Sequence, residues 1–208
     1  DGKLANKKVF FSGGLFLAVL AGVLIPSAVL KASPQEFVNI NYFYHPLWFI
    51  ASSFCLALGA FVIWLGVFYW LAGTSARTYF DRGIWIFSGM ALMNYMFFGK
   101  NLGLLTPLLK YERGMQLAVK EQVWNLAAVL AVSVLLYVIY RYWERFVPEA
   151  LMIAVLAFGL MSAFNMFAIH TSIQNVKVQM EADRETPHRK TRFTLSKEGK
   201  NVIVLMLD

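Results

Sequence analysis

Apolar runs of about twenty residues recur along this chain, and no other feature constrains its fold as strongly. The hydrocarbon core of a bilayer is about 30 Å thick and a helix rises about 1.5 Å per residue, so a crossing takes about 20 apolar residues. Residues 9–30 form the first such run, entered after Lys7 and Lys8. It is too long for the apolar part of a signal peptide, and no small-residue cleavage site with a soluble chain follows. Ser12, Gly13, Gly14 and Pro26 lie inside it; membrane helices tolerate them because neighbouring helices satisfy freed backbone groups. Residues 46–71 form the second run, with Pro46 at a helix start, where its missing N–H is harmless. The third, 84–99, is short, and Lys100 is placed to snorkel outward. The fourth covers 123–140 and the fifth 150–169, with Pro148 near the start of the latter.

Together these runs predict an all-α integral membrane bundle with five transmembrane helices, occupying residues 1–180. Composition agrees. Hydrophobic residues make up 59% of the chain and charged ones 15%, and the mean hydropathy is +0.57. Soluble domains carry about 45–50% apolar and roughly 25% charged residues. A soluble globular enzyme is excluded as a description of these 208 residues, as is a disordered chain. Cys55 is the single cysteine, so no intrachain disulfide and no cysteine-based zinc site can form. The net charge of +7 is expected to set topology and to meet membrane lipids, not nucleic acid.

The connecting segments fit a cell-membrane protein whose N-terminus is cytoplasmic. On that assignment the inner segments hold Lys3, Lys7, Lys8, Arg77, Arg82, Arg141 and Arg145, and the outer loops hold Lys31, Lys100, Lys110, Arg113 and Lys120. This is a modest excess of inner positive charge. Trp48, Tyr69, Trp70, Trp85, Trp124 and Trp143 stand near run ends, where aromatic belts form. Trp48, Trp70, Trp124 and Trp143, with Arg141 and Arg145, are the expected interface residues. Segment 100–122 mixes leucines with charges and reads as an interfacial amphipathic piece.

Few polar residues fall within the runs. Asn94, Asn125 and Asn165 read as interhelical hydrogen-bonding residues, with a headgroup or ion path as the alternative. No run has a central Asp, Glu, Lys or Arg, which argues against ion-coupled transport. His45 and His170 share the outer end and read as interfacial; two histidines alone make a thin metal site. Phosphate-binding glycine loops, paired catalytic carboxylates and a nucleophile elbow are missing.

Beyond 169 the composition changes. Residues 171–182 extend the fifth helix, with Ile173, Val176 and Met180 along one side, and 181–200 read as a linker broken by Pro187 and Gly199. Val202 to Leu207 are six consecutive apolar residues rich in β-branched types, the pattern of a strand buried on both faces. Such a strand needs a sheet, so 201–208 is expected to open an α/β domain beyond Asp208. The first residue is Asp1 and not Met, and the chain is read as part of a longer protein.

The stretch Lys200-Asn201-Val202-Ile203-Val204-Leu205-Met206-Leu207-Asp208 resembles the opening strand of the alkaline phosphatase/sulfatase superfamily. The layout of five membrane helices, a linker and an extracytoplasmic catalytic domain is similar to that of lipoteichoic acid synthases and lipid A phosphoethanolamine transferases. The resemblance implies a transferase or hydrolase of phospho- or sulfo-esters in the cell envelope, with a lipid-linked or polymer substrate. It implies a divalent metal (Mn, Mg, Zn or Ca) with Asp208 as one ligand, and a nucleophile later in the chain. Those transferases usually carry glutamate at the strand end, and Asp208 is closer to the sulfatase-like pattern. The alternative is a non-enzymatic membrane scaffold or assembly subunit that merely ends in a strand.

Overall fold

The structure, a computed structural model, describes residues 6–34, 37, 45–99 and 118–185. These residues divide into two units, 1–173 and 174–208. All described secondary structure is helical. Within it, three stretches are long and apolar enough to cross a membrane: Lys7–Ala32, Leu47–Leu71 and Val119–Asn175. We label Lys7–Ala32 α1 and Leu47–Leu71 α2. Helix α3 is Thr74–Met93, continued by a π turn at Asn94–Phe98. Helix α4 is Val119–Trp143, and the 3-10 turn Glu144–Phe146 leads into α5, Val147–Glu185.

Helix α1 is the hub. In its most apolar window 61% of the residues are buried, against 11% for α2 and 6% for the last stretch. Close approach is built into its sequence. A Cβ on Gly22 would stand 2.8 Å from both the Ala57 Cβ and the Phe54 Cα of α2, and one on Gly14 would stand 2.7 Å from the Phe61 carbonyl oxygen. Only glycine lets two helix backbones come this near, the device membrane helices use for tight packing. Pro26 lies inside α1, lacks an N–H, and would push its ring at the carbonyl four residues back. The helix widens there into a π turn over Leu20–Leu24, and the Ile25 N–H reaches back to the Leu20 carbonyl.

The partners run alternately. Gly22 meets Phe54 and Gly14 meets Phe61, so α2 is antiparallel to α1. Asn6 meets Asp81 and Gly13 meets Ile84, so α3 runs with α1. On the far side of α3, the Trp85 indole N–H donates to the Leu136 carbonyl (2.9 Å), the Ser133 hydroxyl meets the Met90 sulfur (3.2 Å), and Asn125 donates to Asn94 (2.8 Å). Moving up α3 moves down α4, the register of antiparallel helices. Phe16 packs on Phe158 and Ser27 bonds Asn165, which lays α5 along α1.

Several expectations change. The segment between the second and third runs, 72–83, reads from the sequence as a connecting loop but is helical from Thr74, because Thr-Ser-Ala-Arg-Thr offers no breaker after Gly73. The third run, 84–99, therefore sits in a helix whose first part carries Arg77, Asp81 and Arg82, and it is not among the long apolar stretches. The linker expected over 181–200 starts late. Residues 181–185 continue α5, since Glu, Ala, Asp and Arg carry no helix breaker and the first proline is Pro187. Residues 100–117, the linker from 186 onward and the strand 201–208 with Asp208 lie outside the described residues.

Candidate functional site

Polar side chains gather at the two ends of unit 1. At the first end, α1 begins, α2 meets α3, and α4 turns into α5. That topology brings Lys7, Lys8, Arg77, Arg82, Arg141 and Arg145 to one level, together with Asp81, Glu144 and Glu149. The centre of this end is Asp81, only 1% exposed. Its Oδ2 accepts the Asn6 backbone N–H at 2.7 Å, which ties the entry of α1 to α3. Among the described residues, its Oδ1 and the Tyr69 hydroxyl, both buried, have no hydrogen-bond partner. Burial pushes the Asp81 carboxyl up to about 6 from an ordinary 3.8. The Asn6 N–H and the nearby Tyr69 hydroxyl oppose that rise, and the Glu144 carboxylate adds to it.

Arg77 closes the same end of α2. Its Nε donates to the Tyr69 carbonyl (3.0 Å) and its Nη2 to the Trp70 carbonyl (2.7 Å), both at the helix C-terminus, where carbonyls lack intrahelical partners. The guanidinium also lies 5.6 Å from the Tyr69 ring centroid. Tyr69 in turn stacks on Phe10 at 4.1 Å between centroids. Tyr69 is thus a core residue and not a member of an aromatic belt. Trp85, spent on the α3–α4 contact, is likewise internal.

At the second end, Lys31 donates to the Asn165 side-chain carbonyl (3.1 Å), and the Asn165 amide donates to the Ser27 hydroxyl (3.2 Å). Ser27 donates back to the Leu24 carbonyl (2.9 Å), at the edge of the π turn. The three side chains form a polar wire from the surface into the bundle. Beside it the imidazoles of His45 and His170 stack with centroids 5.5 Å apart. Their shared end was legible in the sequence; their contact was not. Among the described residues no three His, Cys, Asp or Glu side chains come together to hold a metal ion.

All three span asparagines make side-chain bonds to another helix: Asn125 with Asn94, and Asn165 with Lys31 and Ser27. The interhelical reading is the one their geometry matches. Trp48, Trp70, Trp124 and Trp143 are each more than 60% exposed, and Arg141 and Arg145 are exposed as well. Asp81 was missed as a special residue. The available signal was that it is the one acid among basic residues between the second and third runs.

Stretches this long and apolar, packed through glycine contacts and interhelical asparagines, fit a helical membrane protein. No family model, curated protein or solved structure matches the chain.

Proposed function

We propose that this chain is the membrane domain of an alkaline phosphatase/sulfatase superfamily enzyme, acting on phospho- or sulfo-esters of the cell envelope. The observation that carries the reading is the Lys200–Asp208 pattern, an Asn-Val apolar strand ending in a carboxylate, placed after a helical membrane bundle. Five crossings, by α1 to α5, make an odd number and leave the residues before α1 and those after α5 on opposite faces. Basic residues crowd the end where α1 begins, and positive loops stay cytoplasmic. That supports a catalytic domain outside the cell, anchored at the surface that holds its lipid-linked substrate.

Asp208 is one ligand of the divalent metal in this reading. In this reading its companion ligands lie with Asp208 in the catalytic domain. When bound, such a metal lowers the pKa of a hydroxyl nucleophile and polarises the ester it attacks. The membrane bundle contributes no reacting group; it fixes the height and orientation of the domain over the bilayer.

The test is metal content and ester cleavage by the full gene product. The purified protein is expected to hold a divalent metal and to turn over a chromogenic phosphodiester or sulfate ester, and Asp208→Ala to lose both. A protein that holds no metal, or an Asp208→Ala variant with unchanged metal and turnover, would overturn the reading.

A further inference from the structure

Two carboxyl groups on different elements face each other at the basic end. Asp81, on α3, is buried, and so are Tyr69 on α2 and Tyr140 on α4. The Asp81 Oδ2 accepts the Asn6 N–H at the start of α1. Its Oδ1 and the nearby Tyr69 hydroxyl have no hydrogen-bond partner among the described residues. The Tyr140 hydroxyl donates to the Glu144 carboxylate (3.3 Å) on the turn between α4 and α5. That carboxylate is close enough to Asp81 to repel it.

Among the described residues no cation is held against Asp81. Lys7 and Lys8 on α1 are exposed, as are Arg141 and Arg145. Arg77 is held by the carbonyls that end α2, and Arg82 lies toward Tyr140 on α4. A neutral acid fits such a site and an anion does not. Protonated, Asp81 keeps Oδ2 as the acceptor for Asn6 and gains at Oδ1 a donor for the Tyr69 hydroxyl. Ionised, it is a buried charge facing a second carboxylate, and that is costly until water reaches it. The element placed to give way is the turn. Glu144–Phe146 is a single 3-10 turn between two long helices, a geometry that often marks a hinge. Arg145 and Phe146 on it are exposed, which leaves its outer side clear to move. Just inside it, Val147 is buried in one core cluster with Val9, Tyr69 and Tyr140.

We propose that Asp81, Glu144, Tyr69 and Tyr140 form a proton-operated latch on the basic end of the bundle. With a proton at Oδ1, taken from water, the α4–α5 turn keeps the closed position of the structure. When that proton returns to water, the two carboxylates repel, the turn swings outward, and water reaches Asp81 and its contact with Asn6. Burial sets the range, raising the Asp81 carboxyl to about 6, so the latch is closed below that value and open above it. It uses residues of the bundle alone and is independent of the enzyme reading.

Thiol accessibility tests it. In the full chain with Cys55 replaced by alanine, held in lipid nanodiscs, Val147→Cys reports the inner side of the turn and Arg145→Cys the outer side. The rates at which the two react with an impermeant maleimide are taken as a ratio, and the same ratio in Asp81→Asn removes the titration of the thiols themselves. From about pH 5 to about pH 7.5 the ratio is expected to rise several-fold in the parent protein as Asp81 loses its proton. It is expected to stay low in Asp81→Asn, and to rise less in Glu144→Gln, where the repulsion is gone. Melting of each variant in detergent monitors folding, and Glu144→Gln, on the half-exposed turn, gives a test that does not depend on Asp81→Asn. A flat ratio in the parent, or the same rise in Asp81→Asn, would overturn the proposal. A Glu144→Gln profile identical to the parent's would overturn it as well.

Discussion

Replacing Asp81 with asparagine is expected to stabilise this protein at neutral pH and to erase part of its pH dependence. The carboxyl is buried and titrates near 6 in the folded chain against an ordinary 3.8. Between those values the folded state holds a proton that the unfolded state has released, so stability falls as pH rises from about 4 to about 6. The gap between 3.8 and about 6, at about 1.36 kcal/mol per pH unit, comes to about 3 kcal/mol. Asparagine mimics the protonated acid at every pH. Its carbonyl can accept the Asn6 N–H that Oδ2 now accepts, and its amide can donate to the nearby Tyr69 hydroxyl. Asp81→Asn should therefore gain up to about 3 kcal/mol above pH 7, roughly 6–12 °C in melting temperature for a chain of this size. Thermal unfolding in detergent at pH 4.5, 5.5, 6.5 and 7.5 reads both effects. An Asp81→Asn protein that melts lower than wild type at pH 7.5, or that keeps the full decline between pH 4.5 and 6.5, would refute the reasoning.

Other substitutions probe the helix contacts. Gly22→Leu must drive its side chain into Ala57 and Phe54 and should cost about 1–3 kcal/mol; unchanged melting would mean that α1 and α2 do not approach so closely. Asn94→Leu and Asn125→Leu, measured singly and together, should show a coupling of about 0.6–1.7 kcal/mol, and strict additivity would remove the α3–α4 bond. Asn165→Leu breaks the wire between Lys31 and Ser27. It leaves the buried Ser27 hydroxyl with the Leu24 carbonyl alone, and should lower the melting temperature more than His170→Gln at the exposed stack.

The membrane character of the chain was legible because it depends on the length of apolar runs, a property each segment carries alone. Residues 9–30 and 46–71 are followed closely by α1 and α2 for that reason. The third run marks only part of its helix, because a helix can be short in apolar residues yet long in backbone. Gly73 ends one helix, and nothing in Thr74 to Met93 stops the next. That α1 is the hub rests on which glycines face a neighbour, and a sequence shows Gly14 and Gly22 without their partners Phe61 and Phe54. Side-chain pairs far apart in the chain were out of reach for the same reason. Asp81 with Asn6, Asn165 with Ser27, and His45 with His170 all join residues that only the packing brings together.

Orientation is where the account is most exposed to a single measurement. In a background with Cys55 replaced by alanine, single cysteines at Arg145, between α4 and α5, and at Lys190, after α5, are treated with an impermeant thiol reagent on intact cells. Five crossings with the basic end inside require Lys190→Cys to label on intact cells and Arg145→Cys to label only after lysis. Labelling of Arg145→Cys on intact cells, or protection of Lys190→Cys until lysis, would contradict the proposed five-span topology and the extracytoplasmic domain proposed with it.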